Sequence, residues 1–315
     1  MAAKTLNKQS IFVTGANGFI GKNTRTQLLK DNFYVISGIR PKSSNKNFES
    51  SERRHFDLAT PFLTDLSNVD VVIHLAGIAH KFSDVTSQEY YKGNCDATLE
   101  LANTALKFGV KRFIYLSSIG VNGSTSTDVF TEESTPNPHN DYALSKLQAE
   151  KGLLDIALKS DMEVVIIRPP LVYGRGAPGN FAKLVKLLRS KLLLPFGNVK
   201  NKRSFCGIHN LTSFLSLCSN IEQTPLASNQ VFLIADNEVI STPTFLARIS
   251  DAIDSQLFQI AFPVGLLSFL FRLFGRQNLT ESLILDLEIS IAKAELLLGW
   301  KPSFSMKEQL FDIDE

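Results

Sequence analysis

Cysteine is scarce in this chain, and its scarcity limits the kinds of fold and site that are available. The 315 residues include three cysteines, Cys95, Cys206 and Cys218. Three is an odd number, and their spacing is not that of a metal-binding set. We therefore expect no disulfide framework, no metal site and a reducing compartment.

A surplus of either charge is also missing. Lys and Arg total 33 and Asp and Glu total 31, which gives a net charge of +2. A protein that binds nucleic acid through its phosphates usually presents a strong positive field. The balance of charge therefore gives no reason to expect a nucleic-acid partner.

Long hydrophobic runs are absent as well. The most apolar stretch, residues 261–274, contains Arg272 and is shorter than the about 20 residues that a membrane-spanning helix needs. We expect this stretch to form a helix that is buried or covers a cleft, with peripheral membrane contact as the alternative. Residues 1–10 are polar and lack the pattern of a secretion signal, so we expect a cytoplasmic protein.

The alternation of apolar and helical segments predicts the fold class. With 44% hydrophobic residues, the chain can form one large core or two smaller ones. In the first half, short apolar runs alternate with helical patterns, which is typical of parallel β-α-β units and a doubly wound parallel α/β sheet. The predicted strands are 11–14, 33–39, 69–75, 112–117 and 164–168, and the predicted helices are 22–30, 90–108 and 142–159.

A glycine-rich turn follows the first predicted strand and precedes the first predicted helix. It reads Gly15-Ala16-Asn17-Gly18-Phe19-Ile20-Gly21. In a dinucleotide-binding turn the first glycine permits the bend, the second lets the backbone approach a pyrophosphate, and the third lets the helix pack on the strand. The N–H groups of the helix N-terminus then face the phosphates. Glycines also occur in ordinary β-α turns, but the flanking strand and helix favour dinucleotide binding.

The pattern changes after Pro169 and Pro170. Glycine and proline cluster over 173–179, and a basic helix over 181–191, a strand over 231–235 and helices from Thr244 onward follow. We predict an NAD(P)-binding Rossmann domain over 1–172 and a smaller, discontinuous substrate domain over 173–315, between which the chain crosses.

Tyr142 and Lys146 are four residues apart on a predicted helix, which places them on one helix face. A free phenol has a pKa of about 10, too high for a base at neutral pH, and a neighbouring ammonium lowers it. Ser117 and Ser118 end a predicted strand, where doubly wound sheets bind their ligands. Each feature alone also fits a solvated helix pair or a strand-end serine, and their combination favours catalysis.

These motifs resemble those of the extended short-chain dehydrogenase/reductases, and within them the nucleotide-sugar epimerases, dehydratases and ketoreductases. The resemblance extends over nearly the whole chain. The matching segments are T-G-A-N-G-F-I-G (14–21), H-L-A-G (74–77), L-S-S (116–118), Y-x-x-x-K (142–146), R-P-P-L-V-Y-G (168–174) and L-L-G-W-K-P (297–302).

The resemblance implies a role for each candidate site residue. Tyr142 is the acid/base, Lys146 orients the cofactor and lowers the pKa of the phenol, and Ser118 polarises the reacting sugar oxygen. The implied cofactor contacts are Gly15, Asn17, Gly18, Phe19, Ile20, Gly21, Asp57, Leu58, Leu75, Ala76, Gly77, Tyr142 and Lys146. The implied substrate contacts are Ser118, Asn180 and Arg203, and a solvated surface position is the alternative for Arg203.

Two departures from the family pattern bear on the reaction. Dehydratases of the family carry an Asp-Glu pair after the catalytic hydroxyl residue, whereas this chain has Ile119-Gly120, so dehydration is not expected. At the end of the second strand an acid that would bind the ribose of NAD is replaced by Arg40, followed by Pro41 and Lys42. A cation there favours the 2′-phosphate of NADP(H), with NAD(H) as the alternative.

The sequence thus predicts NAD(P)-dependent hydride transfer at C4 of a UDP-linked hexose. Residues 201–210 and the segments near 241–243 and 298–302 look similar to 4-ketoreductases that make UDP-linked N-acetyl-6-deoxyhexoses, which favours reduction of a 4-keto sugar. The alternatives are a UDP-sugar 4-epimerase that retains NAD and a non-catalytic NADP(H) sensor. The resemblance also implies a homodimer formed through the helices over 90–108 and 142–159.

Overall fold

The computed structural model describes residues 8–40, 52–79, 85–311 and 313. Its strands are β1 (Ser10–Thr14), β2 (Tyr34–Ile39), β3 (Glu52–His55), β4 (Val71–His74), β5 (Arg112–Leu116), β6 (Glu163–Arg168), β7 (Val172–Tyr173), β8 (Leu193–Leu194), β9 (Arg203–Ser204), β10 (Cys206–Gly207), β11 (Gln230–Leu233), β12 (Val239–Ile240) and β13 (Phe258–Gln259). Its α-helices are α1 (Phe19–Lys30), α2 (Ser87–Tyr91), α3 (Ala97–Lys107), α4 (Asp141–Leu158), α5 (Asn180–Arg189), α6 (Ile208–Ser219), α7 (Thr242–Ala252), α8 (Val264–Leu273), α9 (Gln277–Leu283), α10 (Ala292–Leu298) and α11 (Met306–Leu310).

Seven strands form one sheet in the order β11-β6-β5-β4-β1-β2-β3. The pairs from β3 through β6 are all parallel. The chain winds outward from β1 to β3, returns to place β4 on the other side of β1, and continues outward to β6. The sheet therefore reverses its winding between β1 and β4, which is the point where doubly wound sheets bind ligands. The predicted fold class is confirmed.

Apolar side chains on both faces of this sheet explain why its central strands are buried. Every residue of β1, β4 and β5 is buried. Leu101 of α3 and Leu153 of α4 join Phe113 and Ile166 of the sheet in one core. Strands that are covered on both faces need nearly continuous apolar sequence, which is the pattern that predicted them.

The chain forms two compact units. The first comprises the described residues of Met1–Ser117, with Asn140–Ile167 and Thr212–Phe232, and the second comprises Ser118–His139, Arg168–Leu211 and the described residues of Leu233–Glu315. The predicted boundary at residue 172 would place Ser118–His139 in the first unit and Thr212–Phe232 in the second. The structure has Ser118–His139 in the second unit and Thr212–Phe232 in the first. The second unit contains three two-stranded pairings, of β7 with β10, β9 with β12 and β8 with β13.

A buried aspartate organises the second unit. Asp236 accepts hydrogen bonds from Oη of Tyr173 at 2.6 Å, Nδ2 of Asn210 at 2.7 Å and the main-chain N of Gly207 at 3.0 Å. Burial raises the pKa of Asp236, and the hydrogen bonds oppose that rise. This carboxyl group therefore links β7, β10 and α6 at one point.

Helix α8 is not the buried helix that the apolar stretch over 261–274 predicts. Leu267 is its only buried residue, whereas Leu266, Phe269 and Leu273 are 48%, 58% and 65% exposed. No helix of the described chain combines the length and the apolar character needed to cross a membrane. Cys95, Cys206 and Cys218 are buried and unpaired with one another.

Candidate functional site

The glycine turn lies at the carboxyl end of β1, beside the switch point of the sheet. Gly15 has φ +63°, and a Cβ on it would lie 2.9 Å from the main-chain N of Ala76. A Cβ on Gly21 would overlap the carbonyl oxygen of Gly15. Gly15 therefore requires glycine because the turn packs against the chain that follows β4, and Gly21 requires glycine because α1 packs directly on the turn.

The N-terminus of α1 is open to an anionic ligand. Gly18 caps the helix without a side-chain acceptor, and the first turn contains no acidic residue. Phe19 and Ile20 begin the helix and, like Asn17 in the turn, are half-buried. Free N–H groups and the helix dipole favour a phosphate at this point. These features fit the diphosphate of a nicotinamide dinucleotide.

A buried relay of hydrogen bonds holds the chain on both sides of the switch point. The Oγ1 of Thr14 accepts from the main-chain N of Leu75 at 3.0 Å and of Ala76 at 3.1 Å. Its own proton is then directed to Nδ1 of His74, 2.8 Å away, and Nε2 of His74 lies 3.1 Å from Oγ1 of Thr98. This network assigns the Nε2–H tautomer.

Asn94 connects the loop after β4 to helix α4. It lies in a π-helical turn, Lys92–Asp96, between α2 and α3. Its Oδ1 accepts from the main-chain N of Ile78 at 2.7 Å, and its Nδ2 donates to the carbonyl oxygen of Ile78 at 3.0 Å and to Oγ of Ser145 at 3.1 Å. The π-turn therefore positions a side chain that a regular helix would direct elsewhere.

Gly77 lies against both Asn94 and Lys146. A Cβ on Gly77 would lie 2.9 Å from Oδ1 of Asn94 and 3.5 Å from Nζ of Lys146. The predicted cofactor segment Leu75 to Gly77 is half-buried to exposed, and Ala76 packs against the core. The structure thus brings the glycine turn, the end of β4 and Lys146 together in the first unit.

Lys146 is a buried cation on α4. Its Nζ donates to the carbonyl oxygen of Leu116 at 3.0 Å and lies 4.6 Å from the centroid of the Tyr115 ring. Burial lowers the pKa of Lys146 to about 8, and the charge of Glu150 opposes this shift. The side chain is therefore largely protonated at pH 7.

Tyr142 lies one helical turn before Lys146, in the first turn of α4. Asn140 caps this helix by accepting from the main-chain N of Ala143 at 2.8 Å. The half-buried ring of Tyr142 meets that of Tyr90 edge to face, with centroids 6.2 Å apart. Capping and the ring contact fix the direction in which the phenol leaves the helix.

Three further predicted cofactor residues follow β2 and β3. Arg40 is exposed directly after β2, and Pro41 and Lys42 lie outside the described residues. Oδ1 of Asp57 accepts from the main-chain N of Ala59 at 3.0 Å, and Leu58 packs against the core. Because β2 pairs in parallel with β1, and β3 pairs in parallel with β2, these residues lie at the same edge of the sheet as the glycine turn.

The three predicted substrate residues lie in the second unit. Half-buried Ser118 accepts at Oγ from the main-chain N of Gly120 at 3.1 Å, which leaves the hydroxyl proton to donate. Asn180 is exposed as the first residue of α5. Nη1 of Arg203 donates to the carbonyl oxygens of Glu281 at 2.9 Å and Leu285 at 2.8 Å.

Burial also affects the guanidinium group of Arg203. It lowers the pKa of Arg203 to about 10, and the charge of Asp286 opposes the shift. Nη1 can use both of its protons on these two carbonyl oxygens, and Nε and Nη2 are the donors that these bonds do not use. No group of three His, Cys, Asp or Glu side chains suitable for a metal ion occurs among residues that the structure describes.

The family model described as "NAD dependent epimerase/dehydratase family" matches residues 11–220. This chain belongs to that family. It is 36% identical to a UDP-glucose 4-epimerase of Vibrio cholerae, over 95% of this chain and 93% of the relative. As the sequence motifs predict, it is an NAD-dependent nucleotide-sugar enzyme of the extended short-chain dehydrogenase/reductase type.

Two solved structures show the same fold. A UDP-glucuronic acid 4-epimerase of Bacillus cereus in complex with NAD is similar with a TM-score of 0.75 and 23% identity, over 96% of this chain and 94% of that chain. A UDP-glucose 4-epimerase of Thermotoga maritima with UDP-glucose is similar with a TM-score of 0.75 and 22% identity, over 96% of both chains.

Sequence reasoning assigned no role to Thr14 or Thr98. Thr14 directly precedes the glycine turn, so its position was a usable signal. Thr98 carries no signal of this kind, because its contact with His74 joins residues 24 positions apart.

Proposed function

We propose that this protein transfers hydride at C4 of a UDP-linked, N-acetylated hexose and that it acts as a 4-ketosugar reductase. The observation that carries the proposal is the buried ammonium of Lys146, held against Leu116 and Gly77 one turn from Tyr142. A buried cation at this position has a chemical use beside a phenol that must release a proton.

The residues of the glycine turn, with Asp57, Leu58 and the segment Leu75 to Gly77, are proposed to hold the dinucleotide. When bound, its nicotinamide supplies the hydride that C4 receives. Tyr142 gives its phenolic proton to the C4 oxygen, so that a carbonyl becomes a secondary alcohol. The charge of Lys146 stabilises the resulting phenolate, because charges interact strongly where water is excluded.

Ser118 is proposed as the second hydroxyl that hydrogen-bonds the C4 oxygen. Asn180 and Arg203 are proposed to bind the diphosphate of the nucleotide sugar, for which a guanidinium group is well suited. Ile119 and Gly120 carry no acid or base, which supports hydride transfer without loss of water.

The proposed cofactor of the reductase is NADP(H), and the support is Arg40. A carboxylate at the end of β2 binds the ribose hydroxyls of NAD and repels a 2′-phosphate. This chain has an exposed guanidinium group there. A net reductase must exchange its spent cofactor, and NADPH suits that task.

A UDP-sugar 4-epimerase is the second candidate, and the Vibrio cholerae relative favours it. Such an enzyme would use the same residues in both directions and keep its cofactor bound. Tyr142 would first take the proton from the C4 hydroxyl and then return it to the oxygen of the rotated ketone.

One pair of assays separates these candidates. The purified protein is incubated with a UDP-4-keto-6-deoxy-N-acetylhexose and NADPH, and the loss of reduced-nicotinamide absorbance is followed. A reductase consumes NADPH and forms the C4 alcohol. If instead the protein equilibrates UDP-N-acetylglucosamine with its C4 epimer, without added cofactor and with NAD retained, it is an epimerase. Binding of NADPH without either reaction would support a sensor and refute both.

The predicted homodimer through α3 and α4 stays a prediction, as does the cytoplasmic location. Sedimentation of the purified protein would measure its mass in solution.

A further inference from the structure

Helix α8 presents an apolar surface that the proposed reaction does not use. Leu266, Phe269 and Leu273 recur at intervals of three and four residues, which places them on one face of the helix. All three are exposed, and Phe274, which follows the helix, is 71% exposed. Single exposed apolar side chains are ordinary, but a contiguous set marks a surface that contacts something else.

The pairing of β8 with β13 carries further exposed apolar side chains, and along the chain α5 precedes β8 and α8 follows β13. Leu193 and Phe258 are register partners and are 58% and 39% exposed. Ile260 is 40% exposed, and its main-chain N donates to the carbonyl oxygen of Leu194 at 3.0 Å. Four residues, 260–263, then connect β13 to α8. We name as the docking face Leu193, Phe258, Ile260, Leu266, Phe269, Leu273 and Phe274.

Basic residues predominate in the two chain segments that carry the docking face. Lys183, Lys186 and Arg189 are exposed at intervals of three along α5, and exposed Lys191 lies two residues before β8. Residues 164–221 contain nine Lys and Arg and no Asp or Glu. Residues 255–280 contain Arg272 and Arg276 and no acidic residue, and the nearest acids in the chain are Asp254 and Glu281. A chain of nearly balanced charge therefore concentrates cations along these two segments.

We propose that the docking face binds the surface of an anionic phospholipid bilayer. Exposed Phe and Leu side chains enter the boundary between headgroups and acyl chains, while neighbouring Lys and Arg side chains attract the headgroups. A second copy of this chain would bring the same cations to the contact and be repelled. A nucleic acid would match the cations and leave the apolar side chains in water. The contact is peripheral, because α8 has ten residues.

The test is flotation of the full chain with vesicles of phosphatidylcholine, with and without phosphatidylglycerol. We expect binding to the anionic vesicles that weakens as salt is raised. The double variants Phe269→Ser/Leu273→Ser and Lys186→Gln/Lys191→Gln should each weaken this binding by about tenfold or more. The matched control is Leu296→Ser, because Leu296 is 84% exposed on α10 in the same unit and should leave binding unchanged.

Three outcomes overturn the proposal. The first is that the full chain fails to float with anionic vesicles, and the second is that the double variants float as well as the unmodified chain. The third is that light scattering shows Phe269→Ser/Leu273→Ser dissociating an oligomer, which would mean that a second copy of the chain covers the face. Thermal melting of each variant establishes that it is folded. Turnover of soluble UDP-sugar should be unchanged in all of them, so the proposed function can hold or fail independently.

Discussion

The ammonium group of Lys146 donates a 3.0 Å hydrogen bond to the carbonyl oxygen of Leu116 inside the first unit. The side chain is buried, and its burial lowers the pKa of Lys146 to about 8. A cation removed from water costs stability unless it is well compensated. Helix α4 therefore holds a destabilising charge at the position that the proposed reaction requires.

Replacing Lys146 should stabilise the protein and remove its activity. We expect Lys146→Met to raise the free energy of unfolding at pH 7 by about 1–3 kcal/mol, since the desolvation cost exceeds that of the hydrogen bond lost at Leu116. Between pH 8 and 10.5 the unfolded chain retains a lysine proton that the folded protein has lost, so wild-type stability rises with pH. Urea unfolding should therefore show a smaller difference in the free energy of unfolding between Lys146→Met and wild type at pH 10 than at pH 7.

Lys151→Met is the matched control, because Lys151 is exposed on the same helix. It should change stability by less than about 0.5 kcal/mol. A loss of stability in Lys146→Met at pH 7 would mean that the hydrogen bond to Leu116 outweighs desolvation.

Removing the phenolic hydroxyl of Tyr142 should stop proton transfer without disturbing the fold. Tyr142→Phe keeps the ring that contacts Tyr90. We expect kcat to fall by about 10²–10⁴-fold while dinucleotide affinity stays within about twofold. Steady-state kinetics and a fluorescence titration measure the two quantities. Tyr91→Phe, at a position 46% exposed on α2, should retain full activity. Turnover of Tyr142→Phe close to wild type would remove Tyr142 from the mechanism.

Gly18→Ala should separate cofactor binding from folding. Gly18 has φ −72° and ψ 172°, which alanine adopts readily, and a Cβ would lie 3.2 Å from the carbonyl oxygen of Gly15. We expect a stability change below about 1 kcal/mol and a loss of about tenfold or more in dinucleotide affinity, because the methyl group occupies the approach to the helix N-terminus.

Calorimetric titration with NADPH and NAD compares Gly18→Ala with Gly265→Ala. At Gly265 an added Cβ meets no heavy atom within 4 Å, so affinity there should not change. Undiminished affinity in Gly18→Ala would place the diphosphate elsewhere.

Reversing the charge at Arg40 should change the preferred cofactor. A carboxylate in Arg40→Asp would repel the 2′-phosphate of NADP(H) and accept hydrogen bonds from the ribose of NAD(H). We expect KM for NADPH to rise by about tenfold or more and KM for NADH to fall. Lys30→Asp, an exposed position at the other end of α1, should leave both values unchanged. Equal changes in the two variants would indicate a general charge effect and no specific contact at Arg40.

The central strands could be predicted because burial on both faces demands apolar sequence. The predicted strand over 112–117 differs from β5 by one residue at its end. β3 could not be predicted, because Glu52–His55 contains no aliphatic residue and is an edge strand whose register comes from pairing with β2. The sequence predicts one continuous helix over 90–108 and not the π-turn at Lys92–Asp96, since one inserted residue hardly alters the apolar pattern.

The candidate site was predictable where its residues are neighbours in sequence. The glycine turn and the Tyr142–Lys146 pair are of this kind. The contacts of Gly77 with Lys146 and of Asn94 with Ser145 depend on how α4 packs on the sheet, which no local pattern encodes. The exposure of α8 could not be predicted either, because the apolar sequence of a helix does not specify which of its faces another element covers.

His74 should make the protein sensitive to acid. Burial, followed by the charge of Lys146, lowers the pKa of His74 to about 3, so the folded protein holds it neutral while the unfolded chain takes up a proton near pH 6.5. The unfolded state thus binds more protons below pH 6.5, and the free energy of unfolding should fall by up to about 1.4 kcal/mol per pH unit as pH drops toward 3. His74→Gln cannot take up this proton, so its free energy of unfolding, measured with urea between pH 7 and pH 4, should depend less steeply on pH. Its stability at pH 7 should be lower than that of the wild type, because the bonds to Thr14 and Thr98 are lost. The control is His139→Gln at an exposed position, whose free energy of unfolding should depend on pH as steeply as that of the wild type. The same pH dependence in His74→Gln and wild type would assign the acid sensitivity to other groups.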